Sequence, residues 1–214
     1  YLELDYGQNQ ILEQKLEGIL SWHRQQELIK YRDHLVILSE DLNSLPITAQ
    51  RWVHHMSLMK GHWKRVRNHV SQDLVGDMLL MSHRQLNYLF IKLERKNRQD
   101  LEDFNELTLE ELREERFNAL IDSLIDRIGS VSKHQENIAR QFVEKITFTT
   151  PLYIEYLRTF QEELRIAAFN SEAGRIELLA LLTNPQALRS SELNAQQTQN
   201  RNNSIEMLMK ISDS

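Results

Sequence analysis

The sequence predicts an all-α fold, an elongated antiparallel helical bundle of about five helices, three of them long. Three observations carry this. The 214 residues hold only six glycines and three prolines, too few for the turns that a sheet protein needs every ~8–12 residues. Apolar residues recur at alternating three- and four-residue steps, the seam of a helix packed lengthwise on another. A content of 41% hydrophobic and 27% charged residues belongs to a folded domain rather than a disordered chain.

The first helix is expected over 8–45, with Leu28, Tyr31, Leu35, Leu38, Leu42 and Leu45 as its seam. That seam is less regular around WHRQQ at 22–26. Pro46 fits the entrance of the next helix, with Ser44 as its cap. The second helix is expected over 47–98. Trp52, Met56, Met59, Trp63, Val66 and Val70 step by four and three, and the stripe continues less regularly through Leu74, Met78, Leu86, Leu89 and Leu93. Unbroken, it would be roughly 75 Å long, with Gly61 and Gly76 as the places for a bend. From Asp100 to Glu115 eight carboxylates face one base, Arg113. Within this run TLEE at 108–111 has the form of a capping box opening a third helix over 109–146. TFTTP at 147–151 reads as a break, with Thr150 and Pro151 as cap and first residue of a fourth helix over 151–182. TNP at 183–185 is another break. A fifth helix over 190–211 is rich in Gln and Asn but keeps Leu193, Met207 and Ile211. Residues 1–214 are expected to form one domain, and the pattern leaves open a single layer or two stacked modules.

Composition removes several classes of function. Without cysteine there is no disulfide framework, thiolate metal site or cysteine nucleophile. The net charge of −5 argues against a general nucleic-acid binder, which needs a basic face. No apolar stretch approaches the ~20 residues that span a bilayer. Leu178–Leu182 is the longest aliphatic block, so membrane attachment is expected only through segments outside the chain. The chain begins at Tyr1, which suggests a processed product or an excised fragment. Glycine-rich phosphate loops, HExxH, GxSxG and ExxH are all missing from the sequence. No enzyme activity, cofactor or metal is therefore expected.

The most distinctive stretch is RWVHHMSLMKGHWKRVRNH at 51–69. It gathers five Lys or Arg residues, four of the eight histidines and two of the three tryptophans, with no carboxylate between Asp41 and Asp73. Heptad phasing puts His55, His62 and His69 on one border of the apolar stripe and Lys60 and Arg67 on the other. Ordinary border residues that lay their stems over a core would look the same. A hairpin turning at Pro46 sets residue n near 92 − n, so that His69 faces His23, His62 faces Lys30 and His55 faces Ile37. Few carboxylates lie nearby on that register, Glu27 and Asp33 being the closest. A small anion held by charge-assisted hydrogen bonds could complete the stripe. The candidate ligand-binding residues are Trp52, His55, His62, Trp63, Arg67 and His69, with His23 opposite. A metal is the weaker reading, because histidines seven apart on one helix are separated by roughly 10 Å. Only His69 with Asp73, joined by His23, could chelate.

RIAAFNSEAGRIELLALLTNPQALRSSE, from Arg165 to Glu192, resembles a stretch of helical extracytoplasmic sensor domains of bacterial chemoreceptors and sensor kinases. These show an arginine-bearing amphipathic helix, a Leu-rich turn, and a second helix. The resemblance implies a ligand- or partner-sensing domain of a transmembrane signalling receptor, located in the periplasm. It also implies a small ligand or a periplasmic protein docked on long helices, with a piston or rotation passing the signal on. The rival reading is a coiled-coil scaffold or adaptor, cytoplasmic or not, with a homodimer compatible with either.

Overall fold

The computed structural model describes residues 5–43 and 48–212, and among them every regular element is helical. In chain order these are α1 (Tyr6–Trp22), a π-helical turn (His23–Glu27), α2 (Leu28–Asn43), α3 (Ala49–Leu80), α4 (His83–Glu106), α5 (Leu109–Ile128), α6 (Lys133–Lys145), α7 (Thr150–Phe169), α8 (Arg175–Thr183) and α9 (Ser191–Ser212). Short 3₁₀ turns, Ser171–Gly174 and Pro185–Leu188, flank α8. Because α1 runs on into α2 through the π turn, eight helical rods replace the expected five. The expected Ser44 cap, Pro46 entrance and seam residue Leu45, and the expected helix start at Ile47, lie outside the described residues.

The additional breaks are capping boxes. The expected 47–98 helix is not interrupted at Gly61 or Gly76, since α3 runs through both, but ends at Leu80. There Ser82 accepts from the Gln85 backbone N–H at 3.3 Å, and the Gln85 side chain accepts from the Ser82 N–H at 2.9 Å. This reciprocal pair satisfies donors that the first helical turn leaves free. The expected 109–146 helix divides likewise. Gly129 caps α5 at φ 82°, a backbone shape that favours glycine, and Ser132 with Gln135 opens α6. The Thr108–Glu111 box stands as expected. Thr149, not Thr150, is the cap position of α7, and its side chain makes no capping bond. The break at 147–149 is braced from α9, where Asn200 accepts from the Thr147 N–H at 3.0 Å and donates to its carbonyl at 2.7 Å. Replacing Ser82 by alanine removes one half of its box and should cost about 1 kcal/mol, read as a lower urea midpoint.

Two apolar clusters hold the rods. Val75, Leu86, Phe90, Leu164, Ala167, Ala168 and Leu178 form the first, where α4 packs on α7 and α3 on α8. Leu124, Ile138, Phe142, Val143, Met207 and Ile211 form the second, where α6 joins α5 to α9. Gly174 makes the turn into α8 possible, because a Cβ there would stand 1.9 Å from the Ala167 carbonyl oxygen. The rod α1–α2 contributes no apolar side chain to either cluster, and its buried residues are Glu27 and His34 alone. Among the described residues no helix is long and apolar enough to cross a membrane.

Candidate functional site

The rod α1–α2 lies antiparallel on α3 and is joined to it by polar and aromatic groups. Lys15 pairs with Asp77, and the Trp22 ring stacks on His69 with centroids 3.7 Å apart. His62 meets Glu27 and stacks on Tyr31 at 4.2 Å. His55 meets both His34 and Asp41. Each contact lies within four residues of the 92 − n register, so the hairpin geometry was legible in the sequence.

The π turn sets which face of α2 takes part. Gln8, Lys15 and Trp22, seven apart, make contacts with α3 or α4 from the first half of the rod. Glu27, His34 and Asp41, also seven apart, do so from the second half. The step from 22 to 27 is one residue longer than an α-turn permits, and the π turn absorbs it, closing with the Leu28 N–H on the His23 carbonyl. The irregularity at 22–26 was the trace of this turn. One consequence corrects the expected first seam. Leu28, Leu35 and Leu42 are exposed at 44%, 60% and 36%, while the polar column next to them is turned inward.

Glu27 is wholly buried and sits at one end of the column. Arg65 grips its carboxylate, with Nε at 3.1 and 3.0 Å from the two oxygens and Nη2 at 2.6 Å from Oε1. His62 Nδ1 lies 2.8 Å from the same Oε1 and 2.6 Å from Arg65 Nη2. One ring nitrogen cannot serve both neighbours. The carboxylate only accepts, so Nδ1 carries the proton and donates to Glu27, joining Arg65 Nε and Nη2 so that three N–H groups converge on Oε1. Donation from Arg65 holds the Glu27 carboxyl down to about 2 against the burial that would raise it, with His62 and Lys30 assisting.

At the other end, Asp41 Oδ2 is 2.9 Å from His55 Nε2, and Arg51 Nη1 is 2.5 Å from Asp41 Oδ1. Partial burial would raise the Asp41 carboxyl, but His55 and Arg51 outweigh it and hold it below its usual value. The ionised carboxylate accepts a hydrogen bond from His55 Nε2–H. His55 Nδ1 is then an acceptor for the Nε2–H of His34, 3.1 Å away. Burial, followed by the charges of His55, His62 and His54, lowers the His34 pKa and favours its neutral ring. His34 also stacks on both His55 and His62, with centroids 5.3 Å away in each case. The chain Arg51–Asp41–His55–His34–His62–Glu27–Arg65 thus runs unbroken along the seam, as hydrogen bonds with one ring stack.

The seven expected ligand residues are not brought around one pocket. His55 and His62 are buried at 2% and 4% exposure instead of bordering a seam. Trp63, expected in the seam, is 64% exposed, and Met59 is exposed as well. Trp52 is half-buried, with an indole N–H that meets no acceptor. His69 is exposed with one ring face stacked on Trp22, and His23 tilts against Tyr31 at 6.2 Å. Arg67 is half-buried, with an Nε–H that meets no acceptor. The negative charge that a bound anion was to supply in this seam comes from Glu27 and Asp41 of the chain itself. Among the described residues no cluster of His, Asp or Glu side chains is placed to hold a metal ion. Glu27 was expected as a nearby carboxylate and Tyr31 as a seam residue, while His34, Asp41 and Arg65 were not anticipated; the signal they left is that Glu27, His34 and Asp41 recur every seven residues, as His55 and His62 do.

No curated protein and no solved structure matches the chain. One family model does, over residues 1–194, and its description is a family of unknown function, DUF6279. That match takes in the whole seam and all of α1 through α8. The chain belongs to the DUF6279 family.

Proposed function

We propose that the chain is the sensing domain of a bacterial transmembrane signalling receptor, placed outside the cytoplasm, with the α1–α2 rod as its moving part. The observation that carries this is how the rod is held. It fully buries no apolar side chain from α1 or α2, so beside the ring stacks of Trp22 and Tyr31 its docking on α3 draws on the ionisable groups Glu27, His34 and Asp41 with His55, His62, Arg51 and Arg65. An input that changes their protonation or competes for their hydrogen bonds shifts the rod without disturbing the apolar clusters. The likeness of Arg165–Glu192 to helical extracytoplasmic sensors supports the receptor context. An open reading frame with no hydrophobic span on either side of residues 1–214 would remove it.

The acid response is the direct test. The native pKa of His34 lies below its ordinary value. Below about pH 6.5 the detached rod therefore binds a proton that the docked rod does not, and docking weakens as pH falls. Hydrogen exchange at pH 7 and pH 5.5, corrected for intrinsic rates, should show α1–α2 losing protection while α4 and α7 keep theirs. In His34→Gln, whose amide can still donate to His55, the loss should shrink. Equal responses in α1–α2 and α4 would count against the proposal.

A scaffold role is the second reading, and the exposed stripe Leu28, Leu35 and Leu42 with Ile29 and Val36 favours it. Such a stripe fits a partner helix or a second copy of the chain. Sedimentation velocity over a concentration series separates a monomeric sensor from a self-assembling scaffold.

A further inference from the structure

One side of the α2–α3 pair, next to the polar column, is apolar along its length. Glu27, His34 and Asp41 of the rod face α3, and His55, His62 and His69 of α3 face the rod. The residue after each of these six is apolar in every case but one turn's worth of exceptions is absent: Leu28, Leu35 and Leu42 on α2, and Met56, Trp63 and Val70 on α3. One residue turns a helix by about 100°, and in an antiparallel pair the same step along either chain leads to the same side. The six apolar residues therefore share one broad face. Leu28, Leu35, Leu42 and Trp63 are exposed on it, Met56 and Val70 are half-buried, and none of the six belongs to either apolar cluster. The residues before the contact positions fall on the opposite side and are polar, among them Asp33, Glu40, His54 and Asn68. Apolar side chains gathered on one exposed face, rather than scattered singly, mark a contact surface.

The edges of the face decide what covers it. Lys60 and Lys64 stand exposed on the outer edge of α3, which carries no carboxylate before Asp73. Arg32 stands on the outer edge of α2, held only by an exposed pair with Asp33. The carboxylates of Glu27 and Asp41 are turned into the polar column and those of Asp33 and Glu40 toward the opposite side, so the apolar face itself has none. The edge cations lie about half a turn from the contact positions, so they point outward along the plane of the face and not into the groove between the helices. A third helix laid in that groove would be out of their reach. A second copy laid face to face would bring edges of the same sign together. A wide anionic surface fits both parts: the apolar side chains enter it, and the Lys and Arg stems flank them and reach its phosphates. Trp63, exposed in the middle of its row, is of the residue type that settles at such a boundary.

We propose that this face of α2 and α3 binds the surface of a membrane rich in anionic phospholipid, lying flat on it without crossing it. The acid response of the seam is a separate property, so either can fail alone. A scaffold partner would claim the same stripe, and the experiment separates the two.

The test mixes the whole protein at low salt with vesicles of phosphatidylcholine and phosphatidylglycerol in equal parts, and separately with vesicles of phosphatidylcholine alone. Co-sedimentation and tryptophan emission read the binding. Binding to the mixed vesicles is expected, with a blue shift of emission that Trp63→Phe removes while most of the binding stays. Leu35→Glu and Trp63→Glu should abolish binding, and Lys60→Gln should weaken it roughly fivefold. Added salt should weaken it as well. Leu35 and Trp63 are exposed, so the variants should fold, and thermal melts check this. Ile176→Glu, at an exposed apolar residue of α8, should bind as the unaltered protein does. No binding to the mixed vesicles, equal binding to phosphatidylcholine alone, or binding that both glutamate variants leave intact would overturn the proposal. A dimer in sedimentation velocity that Leu35→Glu takes apart would overturn it too, and would give the face to a second copy.

Discussion

Replacing Arg65 by alanine should weaken the docking of α1–α2 by about 3 kcal/mol, more than replacing Glu27 by glutamine does. The order follows from which partner is deeper. Glu27 is wholly buried, whereas the Arg65 side chain is 41% exposed. Removing Arg65 strands a carboxylate that no water reaches, left with His62 and a Lys30 contact at 3.5 Å. Removing the charge on Glu27 leaves an arginine that can turn to solvent. The pH dependence is also fixed. With its pKa held at about 2, Glu27 stabilises the docked rod fully above about pH 4.5, and the contribution disappears as pH falls from there toward 2. In Arg65→Ala the carboxyl is no longer held down, so that acid loss should begin at a higher pH. Urea titration followed by α1–α2 hydrogen exchange measures both effects. Equal costs for the two substitutions would show that Arg65 and Glu27 act as a surface pair.

Gly174→Ala should destabilise the whole molecule by about 3 kcal/mol, the upper range for forcing one extra carbon into a packed site. A Cβ at Gly174 would meet the Ala167 carbonyl oxygen at 1.9 Å and its carbon at 2.7 Å, both main-chain atoms at the end of α7. No side-chain rotamer can relieve that contact, so the turn between α7 and α8 must open. Ala167, Ala168 and Leu178 of the first apolar cluster sit on it. A drop of roughly 6–12 °C in Tm is expected for a chain of this length. Gly18→Ala is the matched control. Gly18 lies inside α1 with nothing within 4 Å of a Cβ, so the change should be neutral or stabilising by up to ~1 kcal/mol. Similar effects at the two glycines would mean that the α7–α8 approach is looser than described.

The all-α class was legible because turn residues are scarce and apolar spacing is regular, and the hairpin register because a proline fixes where an antiparallel pair must turn. What the pattern concealed has particular causes. Ser82 with Gln85 and Ser132 with Gln135 have the same form as Thr108 with Glu111, but apolar residues continue across them and the longer period dominated the reading. The seam of α3 was phased on its apolar residues, yet the partner face of α2 is polar. The histidines were therefore assigned to the border when they occupy the centre. The carboxylates that pair with them come from a face that a regular helix would have turned away.

The π turn has a mechanical meaning. It stores one residue more than an α-turn would hold, and in a helix one residue corresponds to about 100° about the axis. If His23–Glu27 closed into regular α geometry at constant chain length, α2 would turn on its axis by that angle like a dial. Glu27 and His34 would leave α3, and Gln26 and Asp33, with Ile29 and Val36 on their flank, would come round toward it. The same 16 residues of α2 thus carry two faces for one neighbour, one centred on His34 and Asp41 and one on Asp33 with Ile29 and Val36 at its side. Which is shown depends on whether five residues at 23–27 hold their bulge.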